Sequence, residues 1–241
     1  MPRRSSIPVF FGLLLFFTML EGVVFPSEPA PGRHFRYKLT SRGFAVGELK
    51  TVLAPVSYQG GRAIHFHSNL AIDADFIFFK RKGHHREEAL VTSQGTVSYR
   101  KHGEENGKAT SVEATLEGDT FRFRIEEGGG VRLVAVPRSR YDYTTMDCPE
   151  TALQREGETR EVRLLDMEHA TVVTRHFRMV RSEEMDVAGR RILCKVVDFS
   201  DPNNRCRRWV TSDERGVLIV RQDGSGKGGT YSLRLVALNE S

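Results

Sequence analysis

Apolar and polar residues alternate with a period of two along most of the chain. Across residues 34–39, Phe35, Tyr37 and Leu39 fall on one side and Arg36 and Lys38 on the other. Phe121, Phe123 and Ile125 oppose Arg122 and Arg124 in TFRFRIEE, and Tyr231, Leu233 and Leu235 line up in TYSLRLVAL. In RAIHFHSNLAI, Ile64, Phe66, Leu70 and Ile72 share a side opposite His65 and His67. Successive side chains of an extended chain point to opposite faces, so each such run predicts a half-buried β-strand.

Turn-forming groups separate these runs at short intervals: SRG at 41–43, QGG at 59–61, EENG at 104–107, EGD at 117–119, EGGG at 127–130, DPNN at 201–204 and DERG at 213–216. Tight turns join antiparallel neighbours, whereas parallel strands need long crossovers. The pattern therefore predicts a mainly β fold, a single large curved antiparallel sheet or open barrel with one short helix. That helix is expected over residues 144–156, TTMDCPETALQRE, with Thr144, Thr145 or Asp147 as its cap. One helix cannot cover a dozen strands, so the sheet must curl on itself.

DFIFFK, residues 75–80, departs from the alternation. Read as one strand it is apolar on both faces, Phe76 and Phe78 on one and Ile77 and Phe79 on the other. Packing by the helix or a loop is one explanation, and a cavity for an apolar ligand is the other. The expected cavity walls are Phe66, Phe76, Phe78, Phe121 and Phe123.

Gly224, Gly226 and Gly229 have the spacing G-x-G-x-x-G. In a dinucleotide-binding fold these glycines stand between a strand and a helix whose first amides hold the pyrophosphate. Here the alternating stretch RGVLIVRQ precedes them and TYSLRLVAL follows, so DGSGKGG reads as a hairpin loop.

Residues 1–27 read as a signal peptide: Arg3 and Arg4 precede the apolar run from Ile7 to Leu20, and turn-forming residues follow to Pro31. The run is shorter than the ~20 residues a membrane-spanning helix needs, and no cysteine of the lipoprotein type follows it. An uncleaved anchor is the competing reading. Residues 28–241 are expected to form a single β-rich domain, periplasmic or secreted. The whole chain carries +5, and removal of Arg3, Arg4 and Glu21 with the leader leaves +4. Lys and Arg alternate with apolar residues instead of forming an arm interleaved with aromatics, which reads as a solvated basic strand face and points away from nucleic acid.

G-x-S-x-G, H-E-x-x-H, C-x-x-C and Walker patterns are absent from the sequence. No catalytic residues, cofactor or metal are assigned. His65 and His67 project from one face of a strand, as two ligands of one ion would, with His84 and His85 in the next turn, but the apolar residues claim the opposite face and leave these histidines toward water. Cys148, Cys194 and Cys206 are an odd number for an oxidising compartment. A hairpin through SDPNN sets Cys206 near Phe199, leaving Cys194 ~13 Å along the strand and beyond disulfide reach. Any bridge would involve Cys148, reaching one of the other two, and a single reactive thiol is the functional alternative.

The order of parts carries a resemblance. YKLTSRGFAVGELK opens the exported region, YDYTTMDCPETALQ lies near the middle, VAGRRILCKVVDF follows, and RRWVTSDERGVLIVRQDG precedes the last strand. Over residues 33–238 this resembles an uncharacterised bacterial family of exported β proteins, domain of unknown function 3108. That family is similar in architecture to the periplasmic lipoprotein carriers, whose open barrel holds an acyl chain against a helical plug. The resemblance implies an envelope-associated protein and brings no catalytic residues. Three functions follow as expectations: an envelope protein that binds a lipid or acyl chain in a curved sheet, a structural or protein-interaction module of the envelope, or an enzyme whose site is assembled from distant strands.

Overall fold

Each of the seven turn signals joins two antiparallel strands. The computed structural model describes residues 32–76, 79–226 and 229–240; the expected leader and its cleavage region lie outside them. The first eight strands are β1 (Arg33–Ser41), β2 (Phe44–Tyr58), β3 (Gly61–Phe76), β4 (Phe79–Thr92), β5 (Gly95–Glu105), β6 (Lys108–Glu117), β7 (Thr120–Glu127) and β8 (Gly130–Pro137). Seven more follow: β9 (Tyr143–Thr144), β10 (Thr159–Asp166), β11 (Thr171–Val187), β12 (Arg190–Ser200), β13 (Asn204–Asp213), β14 (Gly216–Gly226) and β15 (Gly229–Glu240). All belong to one sheet in the order β8-β7-β6-β5-β4-β3-β2-β1-β15-β14-β13-β12-β11-β10-β9. The sheet is antiparallel except where β9 runs parallel to β10. Among the described residues no helix is long and apolar enough to cross a membrane.

The connectivity forces the curl that the composition predicts. β8 and β9 are the two outer strands of the sheet, yet only residues 138–142 join them. Laid flat, fifteen strands at ~4.8 Å spacing would hold these edges ~67 Å apart. Five linking residues span roughly 20 Å, so the sheet has to bend round and bring its edges together. It is not closed into a barrel by a strand ladder. Side chains make the link instead. Asp147 accepts from the Thr96 backbone N at 3.0 Å, from Thr96 Oγ1 at 2.7 Å and from the Thr144 backbone N at 2.7 Å, fastening β9 against β5.

Residues 144–156 do not form the expected helix: Thr145 donates its N–H to Leu165 O at 3.0 Å alongside the β9–β10 pairing, and Cys148 sits in the left-handed region at φ 48. What remains is a single 3-10 turn, Pro149–Ala152, with another at Arg138–Arg140. DFIFFK also reads differently. Phe76 closes β3 directly opposite Phe79 at the start of β4, so the stretch runs up one strand and down the next instead of being a single two-sided strand.

Three apolar clusters fill the fold. Ala89, Tyr99, Phe121, Phe123 and Val136 of β4, β5, β7 and β8 pack with Tyr141, Leu165 and Met167. A second cluster brings Phe35, Tyr37 and Leu53 against Cys194, Val196, Trp209 and Leu218. Leu153, Leu164, Phe177, Val197, Phe199, Cys206 and Val210 form the third. The β13–β14 hairpin contributes to the second by leaving the ladder: β14 pairs with β15 only from Arg221 onward. At its tip Asp213 binds Arg33 at 3.2 Å, and a Cβ added to Gly216 would lie 3.1 Å from Leu53 Cδ1.

Candidate functional site

Residues directly opposite one another on adjacent strands share a face. Following the registers across β11 to β15 and on to β1 therefore reads out rows of neighbouring side chains. One row runs Arg178, Asp198, Arg207, Asp223, Ser232 and Thr40. Beside it lies Glu161, His176, Ser200, Arg205, Ser225 and Thr230. On the other flank Val196, Trp209, Arg221, Arg234 and Lys38 follow in order. Strands close in sequence and strands almost 200 residues apart thus supply one polar surface.

This surface lines an open cavity of about 1210 Å³. Seven arginines stand around it against three carboxylates, Glu161, Asp198 and Asp223. Phe177, Phe199, Cys206 and Tyr231, which belong to or pack on the third apolar cluster, also contribute to its walls. The volume is on the scale of known ligand sites, which run from about 300 to 1,000 Å³.

Two of the carboxylates are committed. Arg207 grips Asp198 with both arms, Nε to Oδ1 at 2.6 Å and Nη2 to Oδ2 at 2.8 Å, and that bond raises the Arg207 pKa. Burial works against the charge of Asp223, but Arg221 and Ser232 more than offset it and hold the carboxyl below its ordinary range. Arg221 Nε donates to Asp223 Oδ1 at 3.1 Å, and Ser232 Oγ donates to the same oxygen at 2.7 Å. Arg178 and Arg205, both exposed, make no side-chain hydrogen bond or ion pair with any described residue. The site therefore keeps positive charge in reserve.

The floor beneath it is rigid. Arg208 Nε donates to Gln222 Oε1 at 2.7 Å, Gln222 Nε2 donates to the Tyr231 hydroxyl at 2.5 Å, and that hydroxyl lies 3.4 Å from Cys206 Sγ. Burial, then Cys206, pushes the Tyr231 pKa up. Tyr231 lies over Gly224, where an added Cβ would come within 2.5 Å of its ring. Gly224 thus has a packing reason to be glycine. The strand-turn-strand setting of the G-x-G-x-x-G spacing is confirmed, since Gly226 pairs with Gly229 across the hairpin.

The phenylalanines expected to line a cavity are placed elsewhere. Phe121 and Phe123 are fully enclosed in the first cluster, with ring centroids 5.8 Å apart. Phe66 is half-buried between the first two clusters. Phe76 ends β3, and Phe78 lies outside the described residues. The arginine rows escaped sequence reasoning because they exist only once the register is known. Their sequence trace is the alternation of Arg205 and Arg207 facing Asp198 and Ser200 across the DPNN turn.

The histidines do not converge. His67 lies opposite Glu88 at 3.4 Å, whereas His84 and His85 lie opposite Ala71 and Leu70, farther along the hairpin. His65 and His67 are half-buried instead of facing water, and burial lowers the pKa of both. Among the described residues no group of three or more His, Cys, Asp or Glu side chains is arranged to hold a metal ion. The cysteines are all free, and Cys206 pairs with Phe199 as the hairpin predicts.

No family model matches the chain, and no curated protein matches it. Among solved structures it is similar to a hypothetical lipoprotein, YmcC, from Escherichia coli K12, at 13% identity and a TM-score of 0.32 over 87% of this chain and 88% of that one. It is also similar to a β-barrel-like protein of domain of unknown function DUF1849 from Brucella abortus, at 11% identity and a TM-score of 0.59. That match covers 89% of this chain and 99% of the other, and the likeness is one of fold.

Proposed function

We propose that this chain is an exported protein of the bacterial envelope that binds an amphipathic ligand, a lipid or acyl chain with a polar end, in the cavity formed by β10 to β15 and β1. The observation that carries the reading is the cavity itself: about 1210 Å³, lined by the arginine rows and bordered by the strand residues Phe177, Phe199 and Tyr231. An apolar segment would gain ~25 cal/mol for each Å² of its surface removed from water in the cavity. The arginine rows would stay hydrated around the polar end.

The leader-like residues 1–27 and the order of parts that resembles domain of unknown function 3108 support the envelope setting. The cavity replaces the earlier expectation of a pocket between Phe66, Phe121 and Phe123, because those rings already have protein partners.

A second reading has its own observation. β8 is an outer strand of the sheet and exposes Val131 and Leu133, Leu133 at 75%. Exposed apolar edge strands are a means of pairing with another chain, which suits an interaction module of the envelope.

The test is to purify the protein from the envelope fraction without detergent, extract it with organic solvent, and analyse the extract by mass spectrometry while sequencing the N-terminus. A co-purified amphiphile and a start between Gly22 and Pro31 are expected. An extract free of amphiphile, or an intact Met1 on cytoplasmic protein, would overturn the proposal.

A further inference from the structure

Building on the proposed ligand cavity, we infer that its arginine rows form an oxyanion subsite that recognises a phosphate-class head group. Asp198 is saturated by Arg207, and Asp223 by Arg221 and Ser232. Those two pairs cancel. Arg178 and Arg205 then remain without a partner among the described residues, and Arg234 has only a distant share of Asp223.

Placement strengthens the point. Arg178 and Arg205 stand on β11 and β13 in adjoining rows, with β12 between them. Two strand spacings and one row place their α-carbons ~12 Å apart, a separation that two extended arginine side chains can bridge around one oxyanion. Arg207 stands two residues from Arg205 on β13 and across β12 from Arg178, held in place by its bidentate grip on Asp198 between them. Ser200 and Ser225 share the row of Arg205 and bring hydroxyl donors.

Charges of both signs alternate along the row, but Asp198 and Asp223 are already paired with Arg207 and Arg221, and Glu161 lies 3.0 Å from His176. Seven arginines against three carboxylates leave an excess of positive charge within the cavity, where the low-dielectric walls focus the field on an anion. Arginine forks suit phosphate, since planar bidentate donors match its oxygens. A single carboxylate would leave part of this donor set idle. The same chemistry would hold the head group of an anionic lipid or a free phosphate ion.

Calorimetric titration of the full mature protein with dodecyl phosphate, dodecyl maltoside and inorganic phosphate separates these sources. The Arg178→Ala/Arg205→Ala variant and an Arg122→Ala control at a remote surface site are titrated in parallel. Both changed arginines in the first variant are exposed and unpaired, so thermal melts should match wild type and exclude a folding defect.

The expected result is dodecyl phosphate binding at least ~10-fold tighter than dodecyl maltoside, equal to about 1.4 kcal/mol. That advantage should vanish in the double variant, persist in the control, and shrink with added salt. Equal binding of both chains, unchanged in the double variant, overturns the oxyanion subsite and leaves the cavity reading intact. Arginine-dependent binding of inorganic phosphate, with no gain from the dodecyl chain, supports the subsite with free phosphate as its ligand and overturns the amphiphile reading. Binding of none of the three overturns both.

Discussion

Arg208 and Glu150 form an ion pair that joins β13 to the 3-10 turn at Pro149–Ala152, with the Glu150 side chain 1% exposed. The guanidinium lies 4.9 Å from the centroid of the Phe199 ring. Burial works against its charge, but Glu150 more than offsets this and raises the Arg208 pKa. Removing one member leaves a buried charge unpaired, which typically costs ~3–5 kcal/mol, whereas replacing both members with apolar groups is often close to neutral. Glu150→Ala should therefore destabilise by about that amount, and Glu150→Ala/Arg208→Met should recover part of it. Urea melts of the double-mutant cycle measure both; equal losses in the single and double variants would contradict the pairing.

Trp209 packs between Val196 and Arg221 in register, 4% exposed, with the Arg221 guanidinium 4.5 Å above its ring. Trp209→Ala opens a large cavity in the second cluster and should cost ~3–5 kcal/mol. Trp209 is the only tryptophan, so the melt is followed by circular dichroism. A loss below ~1 kcal/mol would show that the ring is not enclosed.

Glu87 makes stability depend on pH in a direction opposite to most carboxylates. Tyr99 donates to its Oε1 at 2.8 Å and Ser68 to its Oε2 at 3.4 Å, while Glu168 and Lys101 lie nearby. Burial, then Glu168, raises its pKa in the folded chain. Between the unfolded and folded pKa values the folded state binds the extra proton, so this group's contribution falls as pH rises through that window. His65, His67 and His85 have lowered pKa values from burial and act in the other sense: their contribution is lost as pH falls below ~6.5. The difference between wild type and Glu87→Gln isolates the carboxyl. That variant should gain stability relative to wild type on going from pH 4 to pH 7, read from urea melts at each pH; a constant difference would contradict the raised pKa.

Cys194 and Cys206 lie in the second and third clusters respectively, and Cys206 stands opposite Phe199, five residues from Cys194. Burial pushes the Cys194 thiol up to about 12, which leaves little of the reactive thiolate. Iodoacetamide should spare Cys194 in the folded protein and alkylate all three cysteines in unreduced, denatured protein. A Cys194–Cys206 peptide pair in a non-reducing digest would contradict the register.

The strands were legible because alternation and turn residues are local signals. The β12–β13 register followed from one hairpin, so the Cys206–Phe199 pairing could be read without a structure. Helix composition misled at residues 144–156, where Asp147 accepts from Thr96, a residue more than 50 positions earlier, and Cys148 takes a left-handed conformation. DFIFFK misled because a hairpin tip and a two-sided strand have the same composition. The cavity was illegible for a related reason. Thr40 and Ser232 become neighbours only when the first and last strands pair, and no local pattern announces that.

The central claim is that ligand enters the cavity among β10 to β15 and β1 and not the phenylalanine cluster. Affinity for a fluorescent fatty acid, measured on wild type, on Ser225→Trp at the cavity wall and on Phe121→Leu in the packed core, tests it most directly. Wild type should bind, Phe121→Leu should stay within about twofold of it, and Ser225→Trp should lose at least ~10-fold, about 1.4 kcal/mol. Unchanged affinity in Ser225→Trp together with a large loss in Phe121→Leu would contradict the account.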